Sequence, residues 1–222
     1  MHLLIVFAYP ELFSFGGALL DRARQTLSEV GHTVEVSDLY RNSFEPRGGR
    51  HDFITQVDGP FHYQRAQEHA ARHGGFEEDI RGEMDKLARA DAVIFQFPLW
   101  WFSVPAVLKG WFDRVLARGV AYGPPAGGSY RTGPLRGKRA LLSLTTSEPE
   151  LAFGEGARNG DLHSLLYPVQ RGTLYYTGMA VLPPFVAWAP EPATPRERRR
   201  YLDLYAHRLR LIARTPPLYP AE

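Results

Sequence analysis

Leu3-Leu4-Ile5-Val6-Phe7-Ala8 is an unbroken apolar run that ends at Tyr9-Pro10. That is the pattern of a strand buried on both faces, as parallel strands between helix layers are. From Gly17 to Val30, apolar residues recur at Leu19, Leu20, Ala23, Leu27 and Val30, and Gly31 follows. The spacing predicts a helix with a glycine stop. Residues 33–39 alternate through Val34 and Val36, a second strand. Strand, loop, helix and strand over this length form the unit a right-handed parallel crossover needs.

Residues 41–75 are polar, rich in Gly and His and without clear period, which predicts an excursion or long loop. The pattern then predicts a helix over 76–90, with Ile80, Met84, Leu87 and Ala88 on one face. A strand over 92–98 and a helix over 104–116 follow, with Pro105 in the first turn. Residues 119–137, full of Gly and Pro, make a second long connection. Next come a strand over 139–145, a helix over 161–176 and a strand over 180–187. An amphipathic helix over 194–214 closes the chain, with Thr194 as N-cap and Pro195 in first position. Five strands alternating with helices predict an α/β fold, a doubly wound parallel sheet with helices on both faces. Residues 1–222 are expected to form a single domain with the two excursions inside it.

Composition narrows the class. Hydrophobic residues are 44%, charged 23% and aromatic 13%, which excludes a disordered or collagenous chain. No apolar run approaches the ~20 residues of a membrane helix, so no membrane insertion is expected. The N-terminal apolar run has no basic flank and no small-residue cleavage site, unlike a signal peptide. There are no cysteines, which removes disulfides and thiolate chemistry and makes the cytoplasm the default location. A net charge of +2 is too small, and the basic run at 196–200 too narrow, for a nucleic-acid-binding surface.

In a sheet of this kind, ligands bind beyond the carboxyl ends of the strands, where the strand order reverses. Three segments fall there. Residues 9–17 lead from the first strand into a helix, so Ser14 and the N–H groups of Phe15, Gly16 and Gly17 face a helix start. They suit a phosphate, and Ser14 suits equally the role of a plain N-cap. Neither GxxxxGK[ST] nor GxGxxG is present there. Residues 97–102 put Trp100, Trp101 and Phe102 together at a strand end. A planar cofactor stacked on them, a long connection or a second subunit would cover such a patch. Thr145-Thr146-Ser147 ends the fourth strand with hydroxyls and free N–H groups, fit for the polar edge of a ring or for a simple turn. Two other features point away from chemistry. His69 and His73 stand four apart but lack the inner glutamate of HExxH and a third ligand, so no metal site is expected. Ser143 has no GxSxG elbow around it.

The run Gln96-Phe-Pro-Leu-Trp-Trp-Phe-Ser-Val-Pro-Ala-Val-Leu-Lys-Gly-Trp-Phe-Asp-Arg114 resembles the signature of the NAD(P)H:quinone oxidoreductase (DT-diaphorase) family, in the flavodoxin-like superfamily. Ser14-Phe15, Ser37-Asp38-Leu39-Tyr40, Gly133-Pro134-Leu135, Leu144-Thr145-Thr146, Tyr167-Pro168-Val169-Gln170 and Thr194-Pro195 match as well, so the similarity runs to about residue 212. The resemblance implies a homodimer with FAD, or FMN in its place, at each of two interface sites. It implies a ping-pong cycle in which NADH or NADPH and then a quinone use one pocket. By position, Ser14, Phe15 and Gly16 match the pyrophosphate loop, with Tyr9 where a histidine is usual near the phosphates. Pro98, Leu99, Trp100, Trp101 and Phe102 match the wall against the isoalloxazine, and Thr145, Thr146, Ser147 and Glu148 its pyrimidine edge. Tyr122 matches a pocket tyrosine and His62 a glutamine, each supplied to the opposite subunit, and Arg199 matches an adenine-side arginine.

The departures from the family pattern bear on catalysis. Ser147-Glu148 replaces a Gly-Gly pair, which reduces backbone freedom. Phe153 and Asn159 stand where the family has a tyrosine and a histidine that support charge on the reduced flavin. Phe153 has no polar atom, and Asn159 donates through its amide without becoming cationic. The candidate catalytic residues are thus Asn159, Tyr122 and Trp101, with Phe153 at the flavin. Two other readings stay open beside the enzyme: a flavodoxin-type electron carrier, and a flavin-binding regulatory subunit of a transporter, as some relatives of the family are.

Overall fold

The computed structural model describes residues 1–55 and 59–219. The chain opens with β1 (His2–Phe7), α1 (Phe15–Glu29) and β2 (Thr33–Asp38), then α2 (Tyr63–His73), α3 (Glu78–Arg89), β3 (Ala92–Pro98) and α4 (Ala106–Val115). β4 (Arg139–Thr145), α5 (Leu162–Val169), β5 (Ala180–Val181), β6 (Phe185–Ala187) and α6 (Pro195–Arg210) complete it. The strands pair in parallel in the order β2-β1-β3-β4-β5, with β6 also on β4. This is the doubly wound arrangement expected. The order reverses at β1, whose Ile5 lies between Val36 and Ile94.

Alternate side chains of each central strand enter opposite layers, because successive residues of a strand point to opposite faces. Leu4, Val6, Val93 and Phe95 pack with Leu108, Trp111 and Val115 of α4 and Leu166 of α5. Leu3, Ile5 and Ile94 pack with Leu19, Ala23 and Leu27 of α1 and with Tyr205 and Leu209 of α6. Burying each such Leu, Ile or Phe contributes roughly 1.5–3 kcal/mol. Two tight layers hold the strand ends in fixed positions.

Three elements differ from the reading of the sequence. Residues 41–75 contain a helix, α2, where a loop was expected. Ala66, Gln67 and Ala70 are its buried residues, small or polar side chains that give a weak apolar signal. The excursion is anchored by a buried ion pair between Arg114 and Asp52, 3.0 Å apart and both almost inaccessible. Arg114 also donates to the Glu45 carbonyl at 2.7 Å and reaches Asp79 at 3.0 Å. The expected helix over 161–176 stops at Val169 and continues as a wider π turn over Gln170–Tyr175. Pro168, with no N–H to donate, falls at that change. Finally, the strand over 180–187 is split into β5 and β6, because Pro183 and Pro184 cannot donate to a ladder.

Candidate active site

A cleft of about 490 Å³ lies beyond the carboxyl ends of β1, β3 and β4, within the size range of small-ligand sites. Its floor begins at the turn after β1. Ser14 caps α1: its hydroxyl donates to the Glu11 carbonyl at 2.6 Å and accepts from the Gly17 N–H at 3.3 Å. The N–H groups of Phe15 and Gly16, in the first helical turn, have no acceptor among the described residues. Such orphan donors, with the positive end of the helix dipole, are a ready anion site. The two glycines are required by space. A Cβ at Gly16 would strike the Tyr9 ring, and one at Gly17 the Leu12 carbonyl oxygen.

Tyr9 is buried under this turn, and its hydroxyl meets that of Thr145 at 3.0 Å. Burial drives its phenol far above the usual range, so Tyr9 is neutral where a histidine can be charged. The one cation lining the cleft among the described residues is Arg198. It donates to the Pro190 carbonyl at 2.8 Å and also to the Glu191 carbonyl. Arg199, the residue singled out in the sequence, is exposed and does not line the cleft. Helical phase explains the shift, since adjacent residues point about 100° apart.

Pro98, Leu99 and Trp100 form the opposite wall. The Leu99 N–H donates to the Thr145 carbonyl at 2.8 Å, and Trp100 and Ser103 exchange backbone hydrogen bonds in a tight turn. At its tip Trp101 and Phe102 have φ of 49° and 59°, the left-handed region that bulky residues avoid. Trp101 is 94% exposed, Phe102 is half-exposed, and neither lines the cleft. Thr145, Thr146 and Ser147 line the third side. Thr146 donates to the Glu148 carbonyl at 2.7 Å, and the Glu148 carboxylate pairs with Arg158 across the loop. Phe153 packs on Trp188, ring centroids 5.2 Å apart, and the Asn159 N–H donates to the Ala152 carbonyl. Neither lines the cleft of its own chain.

Tyr122 and His62 are elsewhere. Tyr122 lines a second cavity of about 460 Å³, beside Tyr176 with ring centroids 5.8 Å apart. Gln64 donates to its hydroxyl at 3.4 Å, and burial raises its phenol. His62 is the exposed N-cap residue of α2, close in sequence to Gln64. Reading the sequence missed Phe13, Pro190, Glu191 and Arg198 in the cleft and Tyr176 beside Tyr122. The loop after β6 carries no motif, and Tyr176 looks like one more residue on a helix. His69 and His73 stack at 4.2 Å on α2, and among the described residues no group of three metal-ligating side chains occurs.

A residue that holds a flavin must offer a flat apolar wall for the ring and donors for the phosphates. This cleft has both at opposite ends, with glycines where a side chain would strike Tyr9 or the Leu12 carbonyl and displace the turn that carries the donors. The donor set fits a flavin nucleotide.

Comparison with known proteins agrees. Residues 1–209 match the family model described as a flavodoxin-like fold. The chain is 44% identical over 217 residues to a ribosyldihydronicotinamide dehydrogenase [quinone] of Pongo abelii, covering 97% of this chain and 93% of that one. It is 38% identical over 218 residues to the NAD(P)H dehydrogenase [quinone] 1 of Cavia porcellus, covering 97% and 78%. Among solved structures, a Klebsiella pneumoniae chain superposes with a TM-score of 0.94 at 36% identity, covering 98% and 87%. The NAD(P)H:quinone oxidoreductase of Methanothermobacter marburgensis does so with 0.75 at 29%, covering 96% and 97%.

Proposed function

This chain belongs to the NAD(P)H:quinone oxidoreductase family of flavodoxin-like enzymes, and from that premise we propose that it is an FAD-dependent dehydrogenase reducing quinones or similar planar acceptors. The observation that carries the reading is the single cleft that joins free helix amides at Phe15 and Gly16 to the aromatic wall at Trp100. A flavin held there would supply the hydride chemistry that links a nicotinamide donor to a quinone acceptor, and the proposed order is ping-pong.

The chain's own residues bind and orient. The first turn of α1 and Arg198 would hold the phosphates, and a cation beside the helix amides, suited to a second phosphate, is the reason for reading FAD rather than FMN. Pro98, Leu99 and Trp100 would form the wall for the ring, and the Thr145–Ser147 loop would face its polar edge. The exposed rings of Trp101 and Phe102, next in sequence to the Trp100 wall, would be available to a planar acceptor. Tyr122 and Tyr176 line a cavity separate from the cleft, and the exposed His62 does not line that cleft either, which supports a homodimer in which each copy completes the other's site. Asn159 does not line the cleft of its own chain, and its proposed part rests on the family resemblance, in which its amide would donate toward a reduced flavin without becoming cationic. No helix among the described residues is long and apolar enough to cross a membrane; the cytoplasmic location is proposed from the cysteine-free sequence.

The test is reconstitution of the purified protein with FAD and with FMN. Anaerobic titration with NADH, NADPH and N-ribosyl dihydronicotinamide then follows, with a quinone added last. FAD bound more tightly than FMN, bleaching by a dihydronicotinamide and recolouring by the quinone are expected. Protein that binds neither flavin overturns the reading.

A further inference from the structure

Gln96 is a fully buried amide in the middle of β3, flanked by Phe95 and Phe97, which are also at 0% exposure. Burying an amide among such neighbours is costly unless its hydrogen bonds are made. Its Nε2 donates to the Gly16 carbonyl at 2.7 Å, and its Oε1 accepts from the Tyr205 hydroxyl of α6 at 3.3 Å. The carbonyl on one side and the phenol on the other fix which way round the amide sits. Burial keeps the Tyr205 phenol protonated far beyond its usual range, so it remains a donor.

Gly16 does not need this bond. As the second residue of α1, its carbonyl faces the N–H four residues on. The amide therefore adds a second, buried bond to a carbonyl that the helix already serves. Its consequence is directional. In a trans peptide the C=O and the following N–H point opposite ways. Pinning the Gly16 carbonyl toward β3 turns the Gly17 N–H toward Ser14, which it reaches at 3.3 Å. With it, the first turn of α1 is held facing the cleft. The backbone of Gln96 also accepts from the Ala8 N–H at 2.9 Å, so one residue holds both ends of the turn between β1 and α1.

We infer that Gln96 is a positioning residue for the phosphate-binding turn, acting through Gly16 and held in place by Tyr205. This rests on the flavin reading above. It predicts that Gln96 matters for the phosphate end of the ligand and not for the ring.

The experiment titrates the full-length apoprotein with FAD and with riboflavin, which has the ring and no phosphate, in wild type and Gln96→Met. Methionine keeps the volume and removes donor and acceptor. For Gln96→Met, FAD should bind about tenfold more weakly, the scale of one buried hydrogen bond. Riboflavin should change by less than about twofold, so the ratio of the two dissociation constants contracts. Equal weakening of both ligands means a general structural defect and overturns the assignment, as does no weakening of either. Should Gln96→Met fail to fold, Tyr205→Phe decides on the same ratio, with a selective loss of about threefold expected. Wild-type protein that binds no flavin at all would instead remove the flavin reading itself.

Discussion

The hydroxyls of Tyr9 and Thr145 meet at 3.0 Å across the end of β3, tying together two strands that do not pair with each other. The bond is buried and holds the floor of the cleft to its third side. Tyr9→Phe should cost about 1 kcal/mol. That is a fall in Tm of about 2–4 °C for a domain of this size. A melting curve unchanged by the substitution would show that the pair contributes nothing.

Three phenols, Tyr9, Tyr63 and Tyr205, are raised far above their ordinary range, chiefly by burial. In the unfolded chain each ionises near pH 10. Above that pH the unfolded state binds fewer protons than the folded state, so stability falls as pH rises. The stabilisation is complete below pH 10. Alkaline titration followed at the phenolate absorbance should release these groups together with unfolding, while exposed tyrosines titrate earlier. Smooth ionisation of all tyrosines with the fold intact would contradict the burial argument.

Gly17→Ala should be worse than a usual glycine replacement inside a helix. The added Cβ meets the Leu12 backbone carbonyl, which has no rotamer through which to escape. The turn must shift, at a cost of about 1–3 kcal/mol, and the flavin affinity should fall with it. Equilibrium denaturation and flavin titration of the same preparation check both effects.

Trp101 holds a left-handed backbone, φ 49°, while almost wholly exposed. A bulky residue there costs on the order of 1–2 kcal/mol, which no burial within its own chain offsets. Trp101→Gly should leave the Tm of the cofactor-free protein unchanged or raised by a few degrees, and should lower kcat/KM for quinones. Destabilisation would mean that the indole is packed in the free protein.

Asp52→Asn strands the Arg114 guanidinium, leaving only the half-exposed Asp79 as a carboxylate partner. Removing one member of a buried pair typically costs about 3–5 kcal/mol. Denaturant unfolding should show a loss toward the lower end of that range. The flavin spectrum should be unaltered in the surviving folded protein, because the pair lies under the excursion rather than in the cleft.

The sheet was legible because its central strands are near-continuous apolar runs. The boundaries of β3 and β4 agree with the reading to the residue. The start of α6 was equally plain from Thr194 and Pro195, and the structure adds Glu197, which with Thr194 satisfies the backbone donors of both. Legibility failed where side chains are small or where prolines interrupt regular structure, as in α2, after Pro168 and at Pro183–Pro184. For the cleft, local sequence placed Ser14, Trp100 and Thr145 at strand ends, and the fold brought them together. Arg198 was out of reach because the four arginines of the 196–200 run look alike until the helical phase is known. Gln96 drew attention only as the start of a motif. Its role depends on Gly16 and Tyr205, 80 and 109 residues away in the chain.

The divided strand that closes the sheet has one more implication. β5 and β6 together present only five residues, and the prolines between them interrupt the row of outward donors. A neighbouring chain finds no continuous ladder there on which to zip a further strand. At that margin the molecule resists runaway stacking into fibrils.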